Sequence, residues 1–249
     1  MPGKVIDPSI TRTLSCPTTA TFEDLHHAIQ IAFQWSRSFT YDFKIQIEDP
    51  DADADSTTTT TTGKKKKPVV RMLDGEARIL SDKLPAIMGS FAVTHPNVFT
   101  DSVQEVRLQN YFETSRLETF FLEYEYDYLN GHWILEIALI GRAPVTSGFV
   151  CIEGQGNGVA LQMMNWREWE DLKDAYRAVR AAENVTPEQN ARIAWFEKEA
   201  IGHSEGSGVQ RVWGDCGRGK INQSLCLLAR GEMKWPPRRI DLGAVGIQY

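Results

Sequence analysis

The stretch LETFFLEYEYDYLNGHWILEIALI, residues 117–140, decides the fold. Within it, two segments of alternating apolar and polar residues, 117–128 and 133–140, flank the dipeptide Asn130-Gly131. An Asn-Gly pair between two alternating segments is the strongest short signal of a β-hairpin. We therefore expect two antiparallel strands that are joined by a two-residue turn and belong to a central antiparallel sheet.

This turn determines which side chains share a face. With two residues in the turn, Tyr128 pairs with Trp133, and Glu125 pairs with Glu136. Side chains alternate between the two faces along each strand, and paired residues share a face. The predicted core face carries Leu122, Tyr124, Tyr126, Tyr128, Trp133, Leu135, Ile137 and Leu139. The opposite face carries Glu123, Glu125, Asp127 and Glu136, with Phe121, Ile134 and Ala138 around them.

The four carboxylates on this second face need an explanation, because like charges opposite each other cost up to about 1 kcal/mol per contact. Solvent screening, cover by Lys or Arg, and a bound cationic ligand each provide one. A planar guanidinium suits paired carboxylates. A hard metal ion is a second candidate, but one hairpin supplies no second loop to complete its ligand shell. His132 lies at the hairpin tip, where an imidazole can relay protons near neutral pH.

Other segments predict further strands and helices. Segments 5–14 and 39–47 are typical of strands. Thr21, followed by two acidic residues, predicts the start of a helix, and His26 on its apolar face is interpreted as a hydrogen-bonded core histidine. Later helices are predicted to open at Asn165, with a buried stripe of Trp166, Trp169, Leu172, Tyr176 and Val179, and at Thr186, with Gly202 ending the second one. The expected fold class is α+β, with a mostly antiparallel central sheet and helices packed against it.

The domain organisation follows from composition. Residues 1–202 are predicted to form one α+β domain, and the glycine-rich residues 203–249 an extension packed on the same domain. Residues 49–67 contain six consecutive threonines and end in four lysines, with no apolar side chain larger than alanine. Such a segment cannot offset its ordering entropy, so a disordered loop insertion is expected.

Overall composition excludes several classes of protein. The 249 residues are 42% hydrophobic and 24% charged, which is typical of a globular protein and not of a fibrous or disordered one. The net charge of −6 means that contact with nucleic acid must be local. Four cysteines without a Cys-x-x-Cys pair do not indicate a structural zinc site. No long apolar stretch or apolar leader is present, and a soluble, cytoplasmic protein is expected.

Two weaker signals lie elsewhere in the chain. Residues 214–220, GDCGRGK, have the outline of a phosphate-binding loop, but Ile221 stands where Ser or Thr must bind magnesium. The glycines also precede no convincing helix, so a nucleotide site is not expected. Cys151 and Cys216 have no identified base beside them and are interpreted as passive thiols.

Three motifs resemble the plasmid-Ri (pRiA) ORF-three-like family over about residues 5–180. They are Leu25-His26 with Ala28-Ile29-Gln30, Phe33, Trp35-Ser36 and Phe43; Tyr124-Glu125-Tyr126-Asp127-Tyr128 with Trp133; and Cys151-Ile152-Glu153-Gly154-Gln155-Gly156. The chain departs from the family pattern at Leu129-Asn130-Gly131-His132, at Leu135 and at Asn157-Gly158-Val159-Ala160. A metal or hydrolytic role of bacterial members is therefore not carried over.

The resemblance implies a function. The loop and the extra C-terminal segment are typical of a divergent fungal branch, and one fungal branch that resembles this chain makes arginine-containing cyclodipeptides from aminoacyl-tRNA. The implied partners are Arg-tRNA and a second aminoacyl-tRNA, with no cofactor, metal or membrane. The alternative is a non-enzymatic interaction or nucleic-acid-associated module of the same family.

We assign the site residues from the activity that the resemblance implies and from the acidic face of the hairpin. Catalysis is assigned to Glu125, Asp127 and His132, and substrate binding to Glu123, Glu136, Tyr126 and Trp133. Contacts with tRNA are assigned to Lys64, Lys65, Lys66, Lys67, Arg71, Arg238 and Arg239.

Overall fold

The structure is a computed structural model that describes residues 10–35, 41–48, 66–73, 99–112, 120–126, 133–160, 163, 166–198 and 216–233. Seven strands are described: β1 (Thr11–Ser15), β2 (Tyr41–Glu48), β3 (Lys66–Leu73), β4 (Phe99–Ser102), β5 (Phe120–Tyr126), β6 (Trp133–Ile137) and β7 (Val150–Gln155). Five helices accompany them: α1 (Phe22–Ala32), α2 (Gln109–Phe112), α3 (Trp166–Arg180), α4 (Pro187–Lys198) and α5 (Arg218–Ala229). In the described residues, no helix combines the length and the apolar character that crossing a bilayer requires.

The strands form two sheets. The larger sheet has the order β4-β3-β2-β5-β6, and all of its neighbours are antiparallel except β3 and β4. The smaller sheet is an antiparallel pair of β1 and β7. Helix α5 packs against β7 and α1. The predicted α+β class with a mostly antiparallel sheet is therefore confirmed.

Helix α1 covers the apolar face of the larger sheet. It begins with a capping box, in which the Thr21 hydroxyl accepts from the Asp24 backbone N–H at 3.1 Å and the Asp24 carboxylate accepts from the Thr21 N–H at 2.8 Å. The fully buried Phe22 makes an edge-on contact with Phe43 of β2, with ring centroids 5.2 Å apart. The predicted start of this helix is confirmed.

The hairpin register differs from the predicted one by two residues. Tyr126 pairs with Trp133, and Glu123 pairs with Glu136, whereas Glu125 pairs with Ile134. The predicted pairing of Glu125 with Glu136 is therefore wrong, and residues 127–132, which include the predicted turn, lie outside the described residues. Because side chains alternate with a period of two, a two-residue shift changes partners but leaves every side chain on its predicted face.

Three further predictions differ from the structure in single segments. Lys66 and Lys67, expected in the loop, belong to β3, whereas residues 49–65 lie outside the described residues. Val179 is exposed, so it is not part of the buried stripe of α3. The glycine-rich residues before Arg218 do precede a helix, because α5 begins directly after Gly217, which has a φ of 68°.

A buried polar network ties α1 to the middle of β5. The Tyr124 hydroxyl lies 2.8 Å from Nδ1 of His26 and accepts a hydrogen bond of 2.8 Å from Nε2 of Gln30. His26 also stacks on Tyr41 with ring centroids 3.5 Å apart. His26 is therefore the predicted hydrogen-bonded core histidine. Burial holds the pKa of Tyr124 well above its usual value of about 10, and the neighbouring Tyr126 and Tyr41 act in the same direction.

The raised pKa of Tyr124 predicts a loss of stability at alkaline pH. Because the folded state disfavours the phenolate, this group stabilises the fold fully below about pH 10, and the contribution falls as pH rises and the unfolded chain ionises. Between pH 10 and 11.5, the unfolding free energy of wild type should fall by about 1.5 kcal/mol more than that of Tyr124→Phe. Urea unfolding across this range measures the difference. Parallel curves for the two proteins would contradict the prediction.

The segment after β7 passes very close to the end of α1. A Cβ atom on Gly158 would lie 1.9 Å from the carbonyl oxygen of Phe33. Beside it, Nε1 of Trp35 donates to the Val159 carbonyl at 3.0 Å, and the Trp35 ring stacks on Tyr126 of β5. This contact joins the smaller sheet to the aromatic face of the larger one.

Gly158→Ala should therefore lower the free energy of unfolding by about 3 kcal/mol, because the added methyl group meets backbone that cannot move aside. Gly219→Ala in α5 is the matched control, since its Cβ would meet nothing within 4 Å. The control should be neutral or stabilising by up to about 1 kcal/mol. Thermal melts of both variants measure the effect, and equal melting temperatures would disprove the close contact.

Candidate functional site

The candidate site lies on the face of the larger sheet opposite α1. Strand β2 places Asp42, Lys44 and Gln46 on this face, because Asp42 pairs with Glu125 and Lys44 pairs with Glu123. Strand β6 adds Glu136 next to Glu123. We call the seven residues Asp42, Lys44, Gln46, Glu123, Glu125, Ile134 and Glu136 the carboxylate face.

One end of the carboxylate face is buried and neutralised. Glu125 is 5% exposed and forms an ion pair with Nζ of Lys44. The neighbouring Asp42 is fully buried. Charges that are removed from water require such partners, so Glu125 is held in place by Lys44 and is not open to solvent. For Glu125, cover by a lysine is therefore the explanation that the structure supports.

The other end of the face is open. Oε2 of Glu123 accepts a hydrogen bond of 2.9 Å from Nε2 of Gln46. Directly across the strand pair, Glu136 is exposed and forms no ion pair with any described residue. Ile134, two residues before Glu136, has 55% of its surface exposed. A ligand can therefore reach Glu123 and Glu136 from solvent, with an apolar side chain beside them.

The charges on this face are unbalanced among the described side chains. Four carboxylates share this face with Lys44, which is engaged by Glu125, and with Arg71, which the register of β3 places opposite Lys44. An excess of negative charge on a partly buried surface attracts cations and disfavours the binding of anions. In the part of the chain that is described, no three side chains form a group that could hold a metal ion.

The structure brings some of the predicted residues together and separates others. Glu123, Glu125 and Glu136 share the carboxylate face. Tyr126 and Trp133 are buried on the opposite, aromatic face, so they do not contact a ligand held by these carboxylates. Lys66, Lys67 and Arg71 lie in β3, and Arg71 pairs with Lys44. Asp127, His132, Lys64, Lys65, Arg238 and Arg239 lie outside the described residues.

The residues that β2 contributes to the site were not predicted from the sequence. The alternation in YDFKIQIE, residues 41–48, already separates Asp42, Lys44 and Gln46 from the apolar Tyr41, Phe43 and Ile45. The missing information was that β2 pairs with β5, about 80 residues further along the chain. Local alternation assigns faces within a strand but does not identify the partner of that strand.

The ion pair predicts a stability effect that distinguishes the two ends of the face. Glu125→Gln should lower the free energy of unfolding by about 2 kcal/mol, because it leaves a partly buried Lys44 without its counter-charge. The exposed Glu136→Gln is the matched control and should stay within about 0.5 kcal/mol of wild type. Urea denaturation measures both. If Glu125→Gln were as stable as the control, the ion pair would contribute nothing.

Comparison with known proteins identifies the family. Residues 4–201 match the family described as plasmid pRiA4b ORF-3-like protein. No curated protein matches the chain. Among solved structures, the crystal structure of MM3350, a protein of unknown function from Methanosarcina mazei Go1, is similar with a TM-score of 0.51 and 18% identity, over 82% of this chain and 89% of that one. That likeness shows the fold, and the family match covers most of the sequence. The chain therefore belongs to the plasmid pRiA4b ORF-3-like family.

Proposed function

We propose that this protein is an aminoacyl-tRNA-dependent synthase that forms an arginine-containing cyclodipeptide. The observation that supports the proposal is Glu136 of the carboxylate face, which stands opposite Glu123, is exposed, and forms no ion pair with any described residue. The resemblance to a fungal branch of the family points to the same substrate.

A guanidinium suits this end of the face. It is planar, permanently charged and carries five N–H donors, so it can donate to two carboxylates at once. Each hydrogen bond to a charged partner contributes about 1.5–3 kcal/mol. The methylene groups of an arginine side chain can then pack against Ile134, as long cationic side chains commonly cover apolar surface.

The proposed reaction needs little beyond positioning and proton transfer. The ester that joins an amino acid to tRNA is already activated. The α-amine of one aminoacyl group attacks the ester carbonyl of the other, and a tRNA hydroxyl leaves. The amine of the resulting dipeptidyl-tRNA then attacks its own ester, releasing the second tRNA and closing the six-membered ring. No ATP, metal or organic cofactor enters this scheme, and holding the two esters together supplies much of the rate.

Proton transfer and tRNA contact fall to the residues assigned from the sequence. Each attacking amine must lose a proton, and Asp127 and His132, which lie between β5 and β6 in the sequence, remain the proposed bases. The proposed phosphate contacts are Lys64, Lys65, Lys66, Lys67, Arg71, Arg238 and Arg239. Because Glu125 is neutralised by Lys44, its proposed role changes from proton transfer to holding Lys44 and the sheet in place. Charged tRNA is a cytoplasmic substrate, and the proposed location is the cytoplasm.

Variants that remove the charge of a single carboxylate test whether Glu123 and Glu136 bind arginine. Glu123→Gln and Glu136→Gln keep the shape and remove one negative charge each, so either change should reduce the arginine-containing product at least tenfold, about 1.4 kcal/mol of lost binding. Mass spectrometry of small molecules from a heterologous host that expresses each variant measures the product. Glu153→Gln, on the exposed face of β7, is the matched control and should retain full activity.

Two results would overturn the proposal. If wild type yields no arginine-containing cyclodipeptide from purified Arg-tRNA and a mixture of other aminoacyl-tRNAs, the protein is not such a synthase, and the non-enzymatic family module takes its place. If wild type is active and both carboxylate variants match the Glu153→Gln control, the carboxylate face is not the arginine site.

A further inference from the structure

We propose that Gln46 is the residue of the carboxylate face that selects a guanidinium over an ammonium group. This inference rests on the proposed function, because it assigns the specificity of the same site. Gln46 lies on β2, beside Glu123, and was not among the residues that the sequence indicated.

The amide of Gln46 is half satisfied. Its Nε2 donates to Oε2 of Glu123 at 2.9 Å. Its Oε1 is buried, and in the part of the chain that the structure describes no donor reaches it. The residue as a whole is 4% exposed. A buried acceptor without a partner costs free energy, and native proteins rarely leave one without a reason.

The orientation of this amide is fixed by its partner. A carboxylate only accepts hydrogen bonds, so the atom of Gln46 that contacts Glu123 must be the donor nitrogen. The oxygen is then the atom left without a donor. Gln46 therefore offers a fixed acceptor next to the carboxylate of Glu123.

The strand pairing is irregular beside this side chain. The pairing of β2 with β3 shifts between Ile45 and Gln46, because Ile45 pairs with Val70 whereas Gln46 pairs with Pro68. Pro68 has no N–H to donate to the ladder, and irregularities of this kind are found next to functional sites, where they redirect a side chain. The bulge lies beside the residue that carries the unsatisfied oxygen.

The three acceptors around Gln46 indicate which kind of donor group a ligand would bring to the site. Oε1 of Gln46 and the carboxylates of Glu123 and Glu136 are three acceptors on neighbouring strands. An ammonium group has three donors on a single nitrogen, whereas a guanidinium spreads five donors over a rigid plane. A planar fork can serve a carboxylate and a separate amide oxygen together. The amide oxygen is neutral, so it accepts a hydrogen bond from one direction without adding negative charge. It therefore affects the selectivity between two cations more than the affinity for cations in general.

The test measures the preference of the full-length protein for arginine over lysine. Isothermal titration calorimetry with L-arginine methyl ester and with L-lysine methyl ester gives the two affinities. Wild type should bind the arginine ester at least tenfold more tightly. Gln46→Met keeps the length of the side chain and removes the acceptor, so the preference should fall below threefold while lysine-ester binding changes less than twofold. Gln223→Met, on the exposed side of α5, is the matched control and should behave as wild type.

Each outcome decides the inference. Loss of the preference in Gln46→Met, with the control unchanged, supports it. An unchanged preference in Gln46→Met overturns the role of Gln46 and leaves the proposed function standing. A wild type that binds both esters equally, or neither, overturns both the inference and the carboxylate face as the arginine site. If Gln46→Met does not fold, Gln46→Asn, which withdraws the same amide by one methylene group, decides between these outcomes.

Discussion

The pairing of β2 with β5 is the constraint on which the rest of the structure depends. It places two alternating strands in register, so that Tyr41, Phe43, Tyr124 and Tyr126 meet on one side while Asp42, Lys44, Glu123 and Glu125 meet on the other. The first side is covered by α1 and forms the core. The second side collects charges that no single strand would gather. Burial of the aromatic side provides the free energy that keeps like charges together on the other.

Burial then divides the carboxylates into two kinds. Toward β2 the face is closed, and the carboxylate of Glu125 is engaged there by Lys44. Toward β6 the face is open, and Glu136 keeps its hydration. A ligand cation gains more at Glu136, because this exposed carboxylate has no ion pair with a described residue that the ligand would have to displace. The arrangement therefore separates the buried, structural Glu125 from the exposed Glu136, although both lie on one face of three neighbouring strands.

The sequence predicted the sheet face on which a side chain lies better than the residue with which it pairs. Alternation within residues 120–126 and 133–137 assigned every described side chain of the hairpin to the correct face, because face depends only on whether a position is odd or even. The register depended on which residues form the turn, and centring the turn on Asn130-Gly131 placed every partner two residues away from the observed one. Helix α5 was missed for a different reason: Gly217 provides no side-chain cap, and Arg218 and Lys220 place positive charge in the first turn. Both features oppose the usual signals of a helix start.

Only the part of the candidate site that lies on the hairpin could be predicted from the sequence. Glu123 and Glu136 are near in sequence, and the hairpin makes them neighbours. Gln46 and Lys44 reach the same face through a long-range strand pairing, and the unsatisfied oxygen of Gln46 exists only once that pairing and the bulge opposite Pro68 have formed. Charge can be read from a sequence, whereas an unmet hydrogen bond is a property of the folded arrangement. Specificity that depends on such a bond must be sought in the structure, because it has no signature in the order of the residues.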